Sequence, residues 1–146
     1  MESITNPITS ISILIVEDEA LDLEILATAL ASKFPGVALH TAMDGRTGLE
    51  LFRKFTPDIV ITDLNIPEIG GFQLAVNIHS LKPDTKLIVL TGCAGEGATG
   101  DSAAKVFEID HFIFKPVVFQ ELFEAVEQCI AKIAKKPVAV VQGDRQ

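Results

Sequence analysis

The chain has 146 residues, 48% of them hydrophobic, which fills one core but falls short of two ordinary domains. Its 12 Lys and Arg against 20 Asp and Glu leave a formal net charge of −8, which excludes a surface built to neutralise nucleic-acid phosphates. No basic and apolar leader opens the chain and no apolar run reaches the roughly 18 to 20 residues of a membrane span, so a soluble cytoplasmic protein with Cys93 and Cys129 as free thiols is expected.

Residues 1–10 read as a leader and 11–136 as the domain. Ile11 to Val16 is a short, continuously apolar run, as expected of a strand buried on both faces. Leu21, Ile25, Leu26, Ala29 and Leu30 then recur at helical spacing. Val37 to Thr41 reads as a second strand, and Leu49, Phe52 and Phe55 mark a second helix. Ile59 to Thr62 is the third strand, and Phe72, Ala75, Val76 and His79 suggest the third helix.

Lys86 to Leu90 is the fourth strand. The segment Gly92 to Gly100 after it holds four glycines, each costing about 1 kcal/mol in a helix relative to alanine, so a mobile loop is expected before a short fourth helix from Asp101 to Ile109. Phe112 to Phe114 is the fifth strand. Phe119, Leu122, Phe123, Val126, Ile130 and Ile133 then mark the fifth helix, and Lys132, Lys135 and Lys136 complement its end. Residues 137–146 are expected to be a tail or the start of a linker. Strands alternating with helices imply an α/β fold, a parallel sheet covered on both faces, with sites beyond the carboxyl ends of its strands.

The polar residues at those ends are Glu17 and Asp18, Asp63, Thr91 and Lys115. Carboxylates brought together in a partly dry site repel, so a divalent cation or a lysine must compensate them. Oxygen donors suit Mg²⁺, and Asp63 would then be placed to attack a phosphoryl donor. Any one of these residues has an ordinary reading: Asp63 as a helix cap, Thr91 as a turn hydroxyl, Lys115 as a surface ammonium. Their joint placement favours chemistry.

The segments ILIVEDE, PDIVITDLNIPEIGG, LIVLTG and FIFKP resemble the four signature blocks of response-regulator receiver domains. Their separations fit that family: 45 residues from Asp18 to Asp63, 28 to Thr91 and 24 to Lys115. The resemblance, over about Ile11 to Lys135, implies a flavodoxin-like doubly wound (βα)5 sheet of strand order 2-1-3-4-5. It implies a signalling switch that takes a phosphoryl group from a sensor histidine kinase or phosphotransfer protein, and that is not otherwise an enzyme. Asp63 becomes the phosphoacceptor and a metal ligand, Asp18 a direct ligand, Glu17 a ligand through water, and Asn65 a carbonyl ligand of Mg²⁺. Thr91 and Lys115 would contact the phosphoryl group, Phe112 would be the switch aromatic, and the Lys115–Pro116 bond would be cis. The face made by the fourth helix, fifth strand and fifth helix would act on a partner, on a linked output domain, or on a second copy as a homodimer. Glu17 is a variant of the first acidic position, and the glycine-rich loop after Thr91 looks slightly long for the family.

Other readings fare worse. A haloacid-dehalogenase type phosphatase wants a second Asp where Asn65 stands, and a longer chain. A binding module with a decayed site would not retain the full set of polar strand ends. Gly95 to Gly100 matches G-x-G-x-x-G, but it begins four residues past Thr91 and only one strand follows, too little for a dinucleotide fold. His40, His79 and His111 fall in different elements and receive no role, and Cys93 near Thr91 is read as an inert small residue.

Overall fold

The computed structural model of the chain describes residues 11–92 and 109–142, with side chains as far as Ile133. Five strands, β1 (Ser12–Val16), β2 (Ala38–Ala42), β3 (Ile59–Asp63), β4 (Lys86–Thr91) and β5 (His111–Phe114), form one sheet. Its order is β2-β1-β3-β4-β5 and every pairing is parallel. Four helices stand among the described residues: α1 (Ala20–Lys33), α2 (Gly45–Phe55), α3 (Gly71–Leu81) and α4 (Phe119–Gln142). The helix α4 is the fifth of the predicted helices. The predicted fourth helix and the glycine-rich loop before it lie outside the described residues but for Gly92 and Ile109.

Because strand side chains alternate between faces, each strand feeds two cores. Ile13, Ile15, Ile59, Ile61, Ile88, Leu90 and Ile113 pack with α1 and α4. Leu14, Val16, Val60, Leu87 and Val89 meet Leu49 and Phe52 of α2 and Leu74 and Ile78 of α3. A fully buried apolar side chain of this size contributes about 1.5 to 3 kcal/mol. In the covered strands β1, β3 and β4 the charged residues therefore stand only where the strands end.

Two helical faces differ from the expected stripes. In α1 the buried residues are Leu23, Leu26 and Leu30, whereas Leu21 and Ile25 are 67% and 43% exposed. Both rows satisfy helical spacing, and the choice between them depends on the angle at which the helix leaves β1. In α3, Leu74, Ala75 and Ile78 are buried while Phe72, Val76 and His79 are half-buried, the same helix turned by part of a turn. The α2 stripe holds for Leu49 and Phe52 but ends there; Phe55 is exposed and stacks on His40 with ring centroids 4.1 Å apart. The α4 helix buries Leu122, Val126 and Ile130 as expected, together with Ala125 and Cys129. It also continues through Pro137 to Gln142 instead of stopping near Lys136. A proline removes one hydrogen bond from the ladder and crowds the turn before it, without preventing later residues from rejoining the helix. No helix among the described residues is long and apolar enough to cross a membrane.

Candidate functional site

The carboxyl ends of β1, β3, β4 and β5 converge at one edge of the sheet. Asp63 is the last residue of β3 and is only 5% exposed. Thr91 ends β4, is buried, and its carbonyl accepts the Lys115 N–H at 2.8 Å, which sets the start of the β5–α4 turn. The Lys115–Pro116 peptide that follows is cis. Glu17 continues β1 by donating its N–H to the Ala42 carbonyl at 3.0 Å, and its side chain is buried while the neighbouring Asp18 is exposed.

The side chains then form a small ionic network. The Lys115 ammonium donates to Asp63 Oδ2 in an ion pair, and to Glu17 Oε1 at 3.3 Å. Glu17 Oε2 accepts the Glu19 N–H at 3.1 Å. The Asn65 N–H donates to Asp63 Oδ1 at 3.0 Å, and the Thr62 hydroxyl donates to the Asp63 carbonyl at 2.9 Å. Both Asp63 oxygens are thus held. Desolvation pushes the Glu17 carboxyl above its usual value and the Asp63 charge adds to this, against the Glu19 N–H and Lys115. Burial disfavours the Lys115 ammonium, but the hydrogen bond and charge of Asp63, and then Glu17, outweigh it and raise its pKa.

Carboxylate oxygens of Glu17, Asp18 and Asp63 all lie within 4.8 Å of one another. Three carboxylates against one ammonium leave an excess of negative charge, and every donor is oxygen. That set fits a hard divalent cation such as Mg²⁺, reached through the exposed Asp18. Four predicted residues, Glu17, Asp18, Asp63 and Lys115, therefore come together; Asn65 joins them through its backbone N–H, and Thr91 adjoins them through its carbonyl bond to the Lys115 N–H. Phe112 does not reach the cluster: it pairs with Val89, two positions behind the Thr91–Phe114 pair, and packs half-buried on the α2 and α3 side. Cys93 lies outside the described residues.

Sequence reasoning missed two glycines that shape the loop after Asp63. A β-carbon on Gly71 would lie 2.2 Å from the Asp63 carbonyl oxygen, so only glycine lets α3 start so close to the site. A β-carbon on Gly45 would lie 1.9 Å from the Ile69 carbonyl oxygen. The Gly70–Gly71 pair shortly after Asp63 was the available signal.

The family model for the response regulator receiver domain matches residues 13–127. Regulatory protein AtoC of Escherichia coli (strain K12) is 34% identical over 118 residues, covering 81% of this chain and 25% of that protein. A protein-glutamate methylesterase/protein-glutamine glutaminase of Treponema pallidum (strain Nichols) is 30% identical over 107 residues, covering 73% of this chain and 26% of that protein. The chain thus spans about a quarter of the length of these two relatives. Among solved structures, a CheY-like response regulator receiver domain protein from Methanospirillum hungatei JF-1 superposes with a TM-score of 0.78 at 25% identity, covering 86% of this chain and 98% of that one. With a matching family model, matching relatives and a matching sheet, the chain belongs to the response regulator receiver domain family.

Proposed function

We propose that this domain is a phosphorylation-activated switch that accepts a phosphoryl group on Asp63 from a sensor histidine kinase or phosphotransfer protein. The observation that carries the reading is the Lys115 ammonium bridging Asp63 and Glu17 beside the exposed Asp18. Asp63 is the carboxylate that ends the central strand β3, and both of its oxygens are aligned by neighbours. In the transfer, an Asp63 oxygen forms a bond to phosphorus as the donor's phosphorus–nitrogen bond breaks. The electron pair leaves with the donor imidazole. Asp18 and Asp63, with the Asn65 carbonyl and Glu17, would hold Mg²⁺. When bound, that ion supplies charge neutralisation for the phosphoryl oxygens. Lys115 offsets the charge that develops there and pairs with the product.

The new phosphoryl group then draws on Thr91 and Lys115, and Phe112 changes its packing behind Thr91, altering the β5–α4 side of the domain. That face would act on a partner, a linked output domain or a second copy. The domain turns over no other molecule; it promotes its own phosphorylation and dephosphorylation. On the donor side, Leu21, Ile25 and Val118 are exposed apolar residues next to a cavity of about 220 Å³ lined by Ile25, Lys115, Pro116 and Phe119, a natural dock for the donor.

Intact-mass measurement after incubation with a small acyl phosphate and Mg²⁺ tests the assignment. Wild type is expected to gain one phosphoryl group and Asp63→Asn none; a variant labelled as fully as wild type removes Asp63 from the role. Asp18→Asn is expected to weaken Mg²⁺ binding at least about tenfold by loss of a direct ligand.

A further inference from the structure

We infer that Glu17 is a positioning residue for Lys115: its carboxylate holds the Lys115 ammonium against Asp63, and leaves the cation chiefly to Asp18 and Asp63. The inference deepens the phosphoacceptor reading and rests on it for the meaning of Asp63.

Glu17 is fully buried, and each of its oxygens already has a protein partner: Oε2 takes the Glu19 N–H at 3.1 Å and Oε1 the Lys115 ammonium at 3.3 Å. Asp18 is the exposed carboxylate of the cluster, so a hydrated ion meets it first. The sheet order places β3 and β4 between β1 and β5. With strands about 4.8 Å apart, the backbones that carry Glu17 and Lys115 are separated by roughly three spacings, or about 14 Å. Only two long side chains meeting over the end of β3 can close that gap. Asp63, at the end of β3, lies under the meeting point.

The base of the Glu17 arm is also fixed. Its N–H is tied to Ala42 of β2 and its carboxylate to the Glu19 N–H, so the side chain has little freedom except toward Lys115. Lys115 by contrast carries a flexible four-carbon stem whose ordering costs rotamer entropy. A second anchor at Glu17 keeps the ammonium over Asp63 in one arrangement before any donor arrives. The extra methylene of glutamate over aspartate serves this span.

The test separates holding Lys115 from holding metal. Glu17→Gln keeps an oxygen for the Glu19 N–H but loses the ion pair. In EDTA, NMR relaxation of the Lys115 side chain should report an ordered terminus in wild type and in Asp18→Asn, and a mobile one in Glu17→Gln. In a double-mutant cycle of labelling by a small acyl phosphate, Glu17→Gln should slow wild type several-fold, yet cost less than about twofold in a Lys115→Met background. Mg²⁺ affinity should fall less for Glu17→Gln than for Asp18→Asn. An equally ordered Lys115 in Glu17→Gln, additive costs in the cycle, or a Mg²⁺ loss matching that of Asp18→Asn overturns the inference. Wild type that takes no phosphoryl group rejects the reading of Asp63, and the metal-free NMR comparison still decides the role of Glu17.

Discussion

Gly45 at the start of α2 and Ile69 in the loop after β3 approach so closely that a β-carbon on Gly45 would sit 1.9 Å from the Ile69 carbonyl oxygen. The Gly45 N–H also donates to the Pro67 carbonyl at 3.1 Å, and Glu68 between them adopts a positive φ of 70°. The loop that begins with Leu64 and Asn65 is thereby seated on the start of α2. The Asn65 N–H that aligns Asp63 lies at the start of the same loop.

Gly45→Ala should therefore displace the loop, lowering stability by about 1 to 3 kcal/mol, although alanine would normally favour a helix. Gly48→Ala is the control, because its β-carbon would meet only side chains, the nearest being Val16 at 3.0 Å. The Asn65 amide resonance should move in the first variant and stay in place in the second. If Gly48→Ala shifts it as much, the seat on α2 does not set the loop.

Ile25→Glu should leave stability within about 0.5 kcal/mol, since the side chain lies on the exposed row of α1. Labelling by a small acyl phosphate should be unchanged, and transfer from a phosphohistidine protein should slow at least about tenfold, as a charge enters an apolar contact. Equal slowing with both donors would place the defect in the Asp63 site and remove the docking role.

Cys129 is buried in the α4 core and its thiol is pushed up to about 12, chiefly by desolvation. Hardly any thiolate forms at pH near 8, so the native protein should resist thiol reagents at that position. In a Cys93→Ser background, labelling of Cys129 should track the unfolding transition in urea. Rapid labelling of the folded protein would show that this face of α4 opens.

His111 is held below its ordinary value of 6.5 mainly by desolvation, with Lys132 adding to the effect and Asp110 opposing it. A depressed histidine stays neutral in the folded state while the unfolded chain binds its proton first. Its contribution is thus complete above the unfolded value and is lost as pH falls through the folded one. Urea unfolding in EDTA at about pH 7.5 and about pH 5.5 should show wild type losing more stability than His111→Gln. An identical loss in both proteins would assign the acid sensitivity to other groups.

How much of this molecule was legible in its sequence follows from the range of each interaction. The apolar runs from Ile11, Ile59 and Lys86 are strands buried on both faces, and composition alone marks such strands. The polar residues that end them, Glu17, Asp18, Asp63 and Thr91, stand out because the runs before them are nearly all apolar. Lys115 after Phe114 completes the set, so the membership of the acidic cluster is written in the order of residues along the chain. Sequence spacing does not encode which of two valid helical rows turns inward. Packing against the sheet buried Leu23 in place of Leu21 and Leu74 in place of Phe72, because each helix meets the sheet at an angle set by loops and by every neighbour together. The division of labour in the site was likewise tertiary: that Glu17 is buried and reaches Lys115 while adjacent Asp18 faces solvent depends on β1 and β5 lying three strands apart in one sheet. Contacts between residues 98 positions apart, such as Glu17 with Lys115, or between Gly45 and the Ile69 backbone, arise only when the folded chain brings them together.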